Sequence, residues 1–179
     1  MKRFFISLSI LGVGLFSTAA FAQNGVYLTA EDFANKQVRY DDVNAYIPFR
    51  YGKVKVSDGD KKLLLDKKDV YGYRQGDQDY RIIDNNSYRV VDADHFPIYS
   101  RKVETSKGKG RVAETQYFFS AAPGGELQPL TIANLKRAFP ENERFHQLLD
   151  LQFRHDDELA KYDSFSKTFR IKSIYTQAI

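Results

Sequence analysis

The sequence predicts an α+β fold: an antiparallel β-meander of about six to eight strands, curled or sandwich-like, covered on one face or end by C-terminal helices. Two observations predict it. First, Val70–Arg101 holds four short runs rich in Tyr, Ile and Val: Val70–Arg74, Tyr80–Ile83, Tyr88–Val91 and Ile98–Arg101. Gly76-Asp77, Asp84-Asn85-Asn86-Ser87 and Ala93-Asp94-His95 separate them. β-branched and aromatic runs punctuated by turn formers are the pattern of a meander. Second, after Leu130 the apolar residues recur every three or four positions, which is the period of amphipathic helices.

Taken in order, the chain opens with a stretch that reads as a secretory signal, residues 1–22. Lys2 and Arg3 form its positive region, Phe4–Phe16 its apolar region, and Ala20-Phe21-Ala22 a small-x-small cleavage site. The apolar run is too short for a spanning helix, and no second run of suitable length follows. Cleavage after Ala22 leaves 157 of the 179 residues, from Gln23 onward, which suits one α+β domain over 23–179. The residue after the cut is Gln rather than Cys, which closes the route to an N-terminal lipid anchor.

Thr29 is placed to cap a short helix with Glu31 and Asp32 in its first turn, and Leu28 and Phe33 stand at staple spacing. Gln37–Tyr40 reads as a short strand. Lys53–Asp66 reads as a hairpin turning at Ser57-Asp58-Gly59-Asp60. That acidic turn lacks the longer ligand loop and closing Glu of a calcium site, so it reads as a plain turn.

In the meander a Tyr-Arg step recurs at Tyr73-Arg74, Tyr80-Arg81 and Tyr88-Arg89. Successive strand side chains point to opposite faces. In-sequence pairing would then put Tyr71, Tyr73, Tyr80, Ile82, Tyr88 and Val90 on one face, and Arg74, Arg81 and Arg89 on the other. Val103–Ser120 predicts a further hairpin, turning at Ser106–Gly110, and Ala121–Gly125 a loop. Thr131 caps a helix carrying Ile132, Leu135 and Phe139, with Leu130 as its staple. Pro140 ends that helix and Asn142 caps the next, whose stripe is Phe145, Leu148, Leu149 and Phe153. Asp156-Asp157-Glu158 starts a last short turn with Leu159 and Tyr162. Ser164–Tyr175 alternates, with Phe165, Phe169, Ile171 and Tyr175 on one parity, and reads as a final strand.

Composition narrows the function classes. There are no cysteines, which excludes disulfides, thiolate metal sites and a Cys nucleophile. Beyond the leader ten of the 14 Phe remain, beside twelve Tyr and no Trp. Losing Lys2 and Arg3 takes the formal charge from +4 to +2, which gives no global basic field for nucleic acid. The three histidines, His95, His146 and His155, lack metal-ligand spacing. The acidic pairs Asp41-Asp42, Asp92/Asp94 and Asp156-Asp157 sit among turn and cap signals, and no Gly-x-Ser-x-Gly elbow occurs. Lys107-Gly108-Lys109-Gly110-Arg111 lacks the spacing of a phosphate loop and reads as a hairpin tip. The remaining constellation is Arg74, Arg81 and Arg89, which as one row would bind a carboxylate or phosphate bidentately; otherwise their stems simply cover a solvated sheet face.

Val26-Tyr27-Leu28-Thr29-Ala30-Glu31-Asp32-Phe33, Val70-Tyr71-Gly72-Tyr73-Arg74 and Tyr162-Asp163-Ser164-Phe165-Ser166-Lys167-Thr168-Phe169 resemble segments of small secreted proteins of Bacteroidota without an assigned activity. The resemblance implies an exported chain in the bacterial envelope and supplies no catalytic residue. Together these features lead to the expectation of a non-enzymatic secreted or periplasmic module, without cofactor, that binds a protein, glycan or lipid. The alternative is a carboxylate-dependent hydrolase acting on glycans or lipids. A small outer-membrane barrel is disfavoured, because the helical stretch Leu130–Tyr162 has no place in such a wall.

Overall fold

The computed structural model describes residues 24–40, 42–43, 52–107 and 110–179. The expected leader, residues 1–22, lies outside them, as do Asp41 and residues 108 and 109 of the basic tip. The fold is α+β, built on an open antiparallel sheet of seven strands. Its four central strands come from the meander: β5 (Gly72–Gln75), β6 (Gln78–Ile83), β7 (Asn86–Asp92) and β8 (Ile98–Lys107). On one side β1 (Gly25–Tyr27) pairs with β5. On the other side β9 (Gly110–Phe119) pairs with β8, and the two residues of β10 (Gln128–Pro129) close the order β1-β5-β6-β7-β8-β9-β10.

Thr29 caps α1 (Ala30–Ala34) in a reciprocal capping box with Asp32. The expected staple does not form within one cluster: Leu28 packs with the cluster that holds Val26, and Phe33 with the cluster that holds Tyr27. Gln37–Tyr40 is not a strand either. It contributes the single bridge Val26↔Arg39, since Lys36 and Tyr40 at positive φ interrupt the extended run.

A second sheet is made by β2 (Asp42–Val43), β3 (Lys53–Asp58) and β4 (Lys61–Asp66), the last two being the expected hairpin. Its turn is tight, with Gly59 at φ +56, a conformation that favours glycine. Val43, Val54 and Val56 from this sheet close over Val26, Tyr73 and Ile82 of the large one.

The C-terminal third holds α2 (Ile132–Ala138), α3 (Glu143–Gln152), the hairpin β11 (Tyr162–Asp163) with β12 (Thr168–Phe169), and α4 (Arg170–Thr176). Thr131 and Asn142 cap α2 and α3 as expected, through hydrogen bonds from Asn134 N and Phe145 N. Asp156 Oδ1 accepts from Ile132 N at 2.8 Å, which ties the late acidic turn to the start of α2. The helices bury Leu135, Phe145, Leu149, Ile171 and Ile174 against Phe96, Ile98 and Phe119. They cover the β8–β9 end of one sheet face.

Ser164–Tyr175 departs from its predicted strand. Only Thr168 and Phe169 pair, and α4 begins at Arg170. The apolar residues that count are Ile171, Ile174, Tyr175 and Ala178, all packed on the helical cluster at i, i+3, i+4, i+7. Lys172 is 2 % exposed on this helix. Its ammonium donates to the carbonyls of Asp94 and Phe96 and stands 3.2 Å from Asp92 Oδ1. A lysine buried by its own anchoring contacts carries no apolar signal, so alternation of the neighbours was misleading.

Candidate functional site

Register decides the site. In antiparallel pairs, directly opposed residues share a face. The turn Gly76-Asp77 sets Tyr73 opposite Tyr80. The next turn has only two residues, Asp84 and Asn85, at φ 48 and 63, the pattern of a type I′ hairpin. It pairs Ile83 with Asn86 and so sets Tyr80 opposite Arg89, not opposite Tyr88. Arg89 in turn faces Ser100, and Ser100 faces Tyr117. One row therefore crosses six strands on the first face: Val26, Tyr73, Tyr80, Arg89, Ser100, Tyr117.

The predicted triple row of arginines is thus corrected. Arg81 lies opposite Tyr88 on the second face, and Arg74 lies there opposite Asp79. Arg89 stands alone on the first. The repeat of Tyr-Arg steps at 73, 80 and 88 is one residue out of step with the second hairpin, and a one-residue slip reverses every side chain.

Both second-face arginines are consumed by the interior. Arg81 is 7 % exposed; its Nη1 donates to Tyr99 Oη at 3.3 Å and its Nη2 to Gly124 O at 3.2 Å. Its guanidinium lies over the rings of Tyr71 and Tyr99. Arg74 Nε stands 3.4 Å from Asp79 Oδ1, whose carboxylate also accepts from Tyr27 Oη and Lys36 Nζ, each at 2.7 Å. This layer, with Phe33, Tyr88, Val90 and Tyr99, cements α1 to the sheet.

On the first face, the three-stranded sheet covers one end of the row and the helices cover the other. The middle is open. There a groove of about 600 Å³ is lined by Gln78, Tyr80, Ser87, Arg89, Val91, Ser100, Lys102, Thr115 and Tyr117, and by Arg101, whose guanidinium lies over the Tyr88 ring. Among the described residues no carboxylate lines it. Arg89 is exposed, and its Nε donates to Gln78 Oε1 at 2.6 Å. Gln78 is itself held, because its Nε2 donates to Val90 O at 2.6 Å. The guanidinium is therefore oriented from its inner edge. Tyr80 stacks on Tyr73, centroids 4.7 Å apart and planes within 8°. At the far end, the ring of Phe169 meets Tyr117 edge-on at 6.3 Å. Two tyrosine walls, each braced by a different cover, flank a cationic floor.

Four of the other chemical candidates have structural partners. Asp92 binds Lys172 and accepts from Asp94 N, Asp156 caps α2, and His146 Nε2 lies 2.9 Å from Phe139 O. His95 reaches Thr176 Oγ1. Among the described residues no His, Asp and Glu come together as a metal-holding group, and no helix is long and apolar enough to cross a membrane.

Sequence reasoning found Arg89 but missed Tyr80, Tyr117, Ser87, Ser100 and Lys102 as its companions. The signal that would have found them is the Asp84-Asn85 pair, read as a two-residue turn.

Burial raises the hydroxyl pKa of Tyr27, Tyr71 and Tyr73 above the usual tyrosine value. The folded chain thus keeps protons that the unfolded chain releases above about pH 10, so stability falls as pH climbs past that point. A spectrophotometric titration of the twelve tyrosines should show a late group that ionises only with unfolding. All twelve titrating together before unfolding would contradict the burial.

Comparison with known proteins finds no family model, no curated protein and no solved structure that matches the chain.

Proposed function

We propose that this is a non-enzymatic binding module, exported to the bacterial envelope, that holds an anionic ligand in the groove between the two covers of its large sheet. The observation that carries the reading is the combination of an oriented, exposed Arg89 and an exposed Lys102 in a lining with no carboxylate among the described residues. Exposed cations with no counter-charge among the described lining residues attract an anion, and the volume lies in the usual range of about 300–1,000 Å³ for ligand sites. The leader-like N-terminus supports the location. Engagement of Asp92 and Asp156 in ion pairing and capping speaks against the alternative hydrolase, which needs two carboxylates free to flank a bond.

The test is retention of acidic envelope material on the immobilised protein. Arg89→Gln with Lys102→Gln should cut retention roughly tenfold or more, the loss expected for charge-assisted hydrogen bonds. Both residues are exposed, so the melting temperature should barely move. Arg74→Gln, on the opposite face, serves as the contrast: it should cost stability and leave the retention of the folded fraction unchanged. Equal retention by the wild type and the double variant would remove the groove from consideration.

A further inference from the structure

Resting on the reading of the groove as a binding site, we infer that its ligand is a carboxylated saccharide: a short oligosaccharide with a uronate unit whose carboxylate sits on Arg89 and whose sugar rings lie between Tyr80 and Tyr117. Three features select this chemistry over other anions.

The first is the shape of the row. Tyr80, Arg89, Ser100 and Tyr117 stand on four adjacent strands. At about 4.8 Å per strand the two rings are roughly 14 Å apart. Tyr73 occupies one face of the Tyr80 ring, and Tyr80 still lines the groove. Rings fixed from behind at both ends of an open trough offer apolar faces to the flat C–H surfaces of pyranoses. They leave no enclosed apolar pocket for an acyl chain.

The second is the polar lining. Ser87, Ser100 and Thr115 supply hydroxyls along the groove. Hydroxyl groups both donate and accept, which matches a polyol.

The third is the geometry of the positive charge. Arg89 gives its Nε to Gln78 and keeps its terminal nitrogens for a ligand. A planar fork fits the two oxygens of a carboxylate. Phosphate sites usually add several backbone N–H groups from a helix start or a nest, and beneath this groove the residues of β6, β7 and β8 pair along the ladder except Val91, which the irregularity in β7 skips. Lys102, two residues beyond Ser100 on β8, faces Thr115 and adds a further exposed charge.

The experiment titrates the full chain by NMR and calorimetry with four probes: a galacturonate trisaccharide, its methyl ester, inorganic phosphate, and phosphatidylglycerol vesicles. The expected result is saturable binding of the trisaccharide, with shifts at Arg89 Nε–H, Tyr80 and Tyr117. The ester should bind at least tenfold more weakly, as should the acid to Arg89→Gln. Tyr80→Ala and Tyr117→Ala should each weaken it roughly two- to tenfold, with Tyr→Phe restoring most of the loss. Equal binding of acid and ester would overturn the carboxylate. Groove shifts with phosphate or vesicles but not with the trisaccharide would overturn the saccharide and leave an anion-binding module standing. No groove shift with any probe would overturn both the ligand class and the groove as a site.

Discussion

Phe145→Ala should remove about 3–5 kcal/mol of stability, measured by urea unfolding of the folded chain. Phe145 is fully buried where α3 meets the sheet end. Its ring meets Phe139 and Tyr175 edge-on, and Tyr175 in turn touches Phe96. One side chain thereby joins α2, α3, α4 and the turn before β8. Truncation opens a cavity among rings braced by four separate segments, so collapse into it is incomplete and the cost falls at the high end. Phe145→Leu keeps much of the volume and should cost well under half as much. A loss below about 1 kcal/mol for the alanine variant would mean that the helices do not share the interior of the sheet.

Asp79→Asn is expected to cost about 3 kcal/mol, for a different reason. The carboxylate is 7 % exposed, accepts from Tyr27 and Lys36, and has the Arg74 guanidinium 3.4 Å away. The amide keeps the shape but cannot balance two cations. Lys36 is half exposed and recovers solvation; Arg74, with a side chain 26 % exposed, recovers much less. Lys36→Met alone should therefore cost under about 1 kcal/mol, in the range of exposed ion pairs. If Asp79→Asn costs no more than Lys36→Met, the carboxylate is solvated and β1 and α1 are held by apolar contacts alone. Neither substitution touches the groove, so ligand retention by the folded fraction serves as a control in both cases.

The contrast between the two arginine environments shows where function and stability part. Arg81 and Arg74 are spent on Tyr99, Gly124 and Asp79 within the protein. The Tyr-Arg step by itself does not distinguish Arg89 from them. It comes from the same Tyr-Arg step, in a strand of the same kind. What separates it is the two-residue turn at Asp84-Asn85, which turns β7 by one position relative to the repeat.

Period and punctuation in the chain by themselves determined the α+β class, the four meander strands, the long hairpin, and the caps at Thr29, Thr131 and Asn142. These depend on nearest neighbours: a cap bonds three residues on, and a strand alternates with its own pleat. Three things were left to the tertiary structure: the face taken by Arg89, the helix at Arg170–Thr176, and the open trough between two covers. Each is settled by pairing between segments and not within one: Lys172 reaches the carbonyl of Phe96 from far along the chain, and Tyr80 meets Arg89 across a hairpin whose register the turn sets. Local propensity carries no record of such partners, because the free energy that selects them arises only when the segments meet.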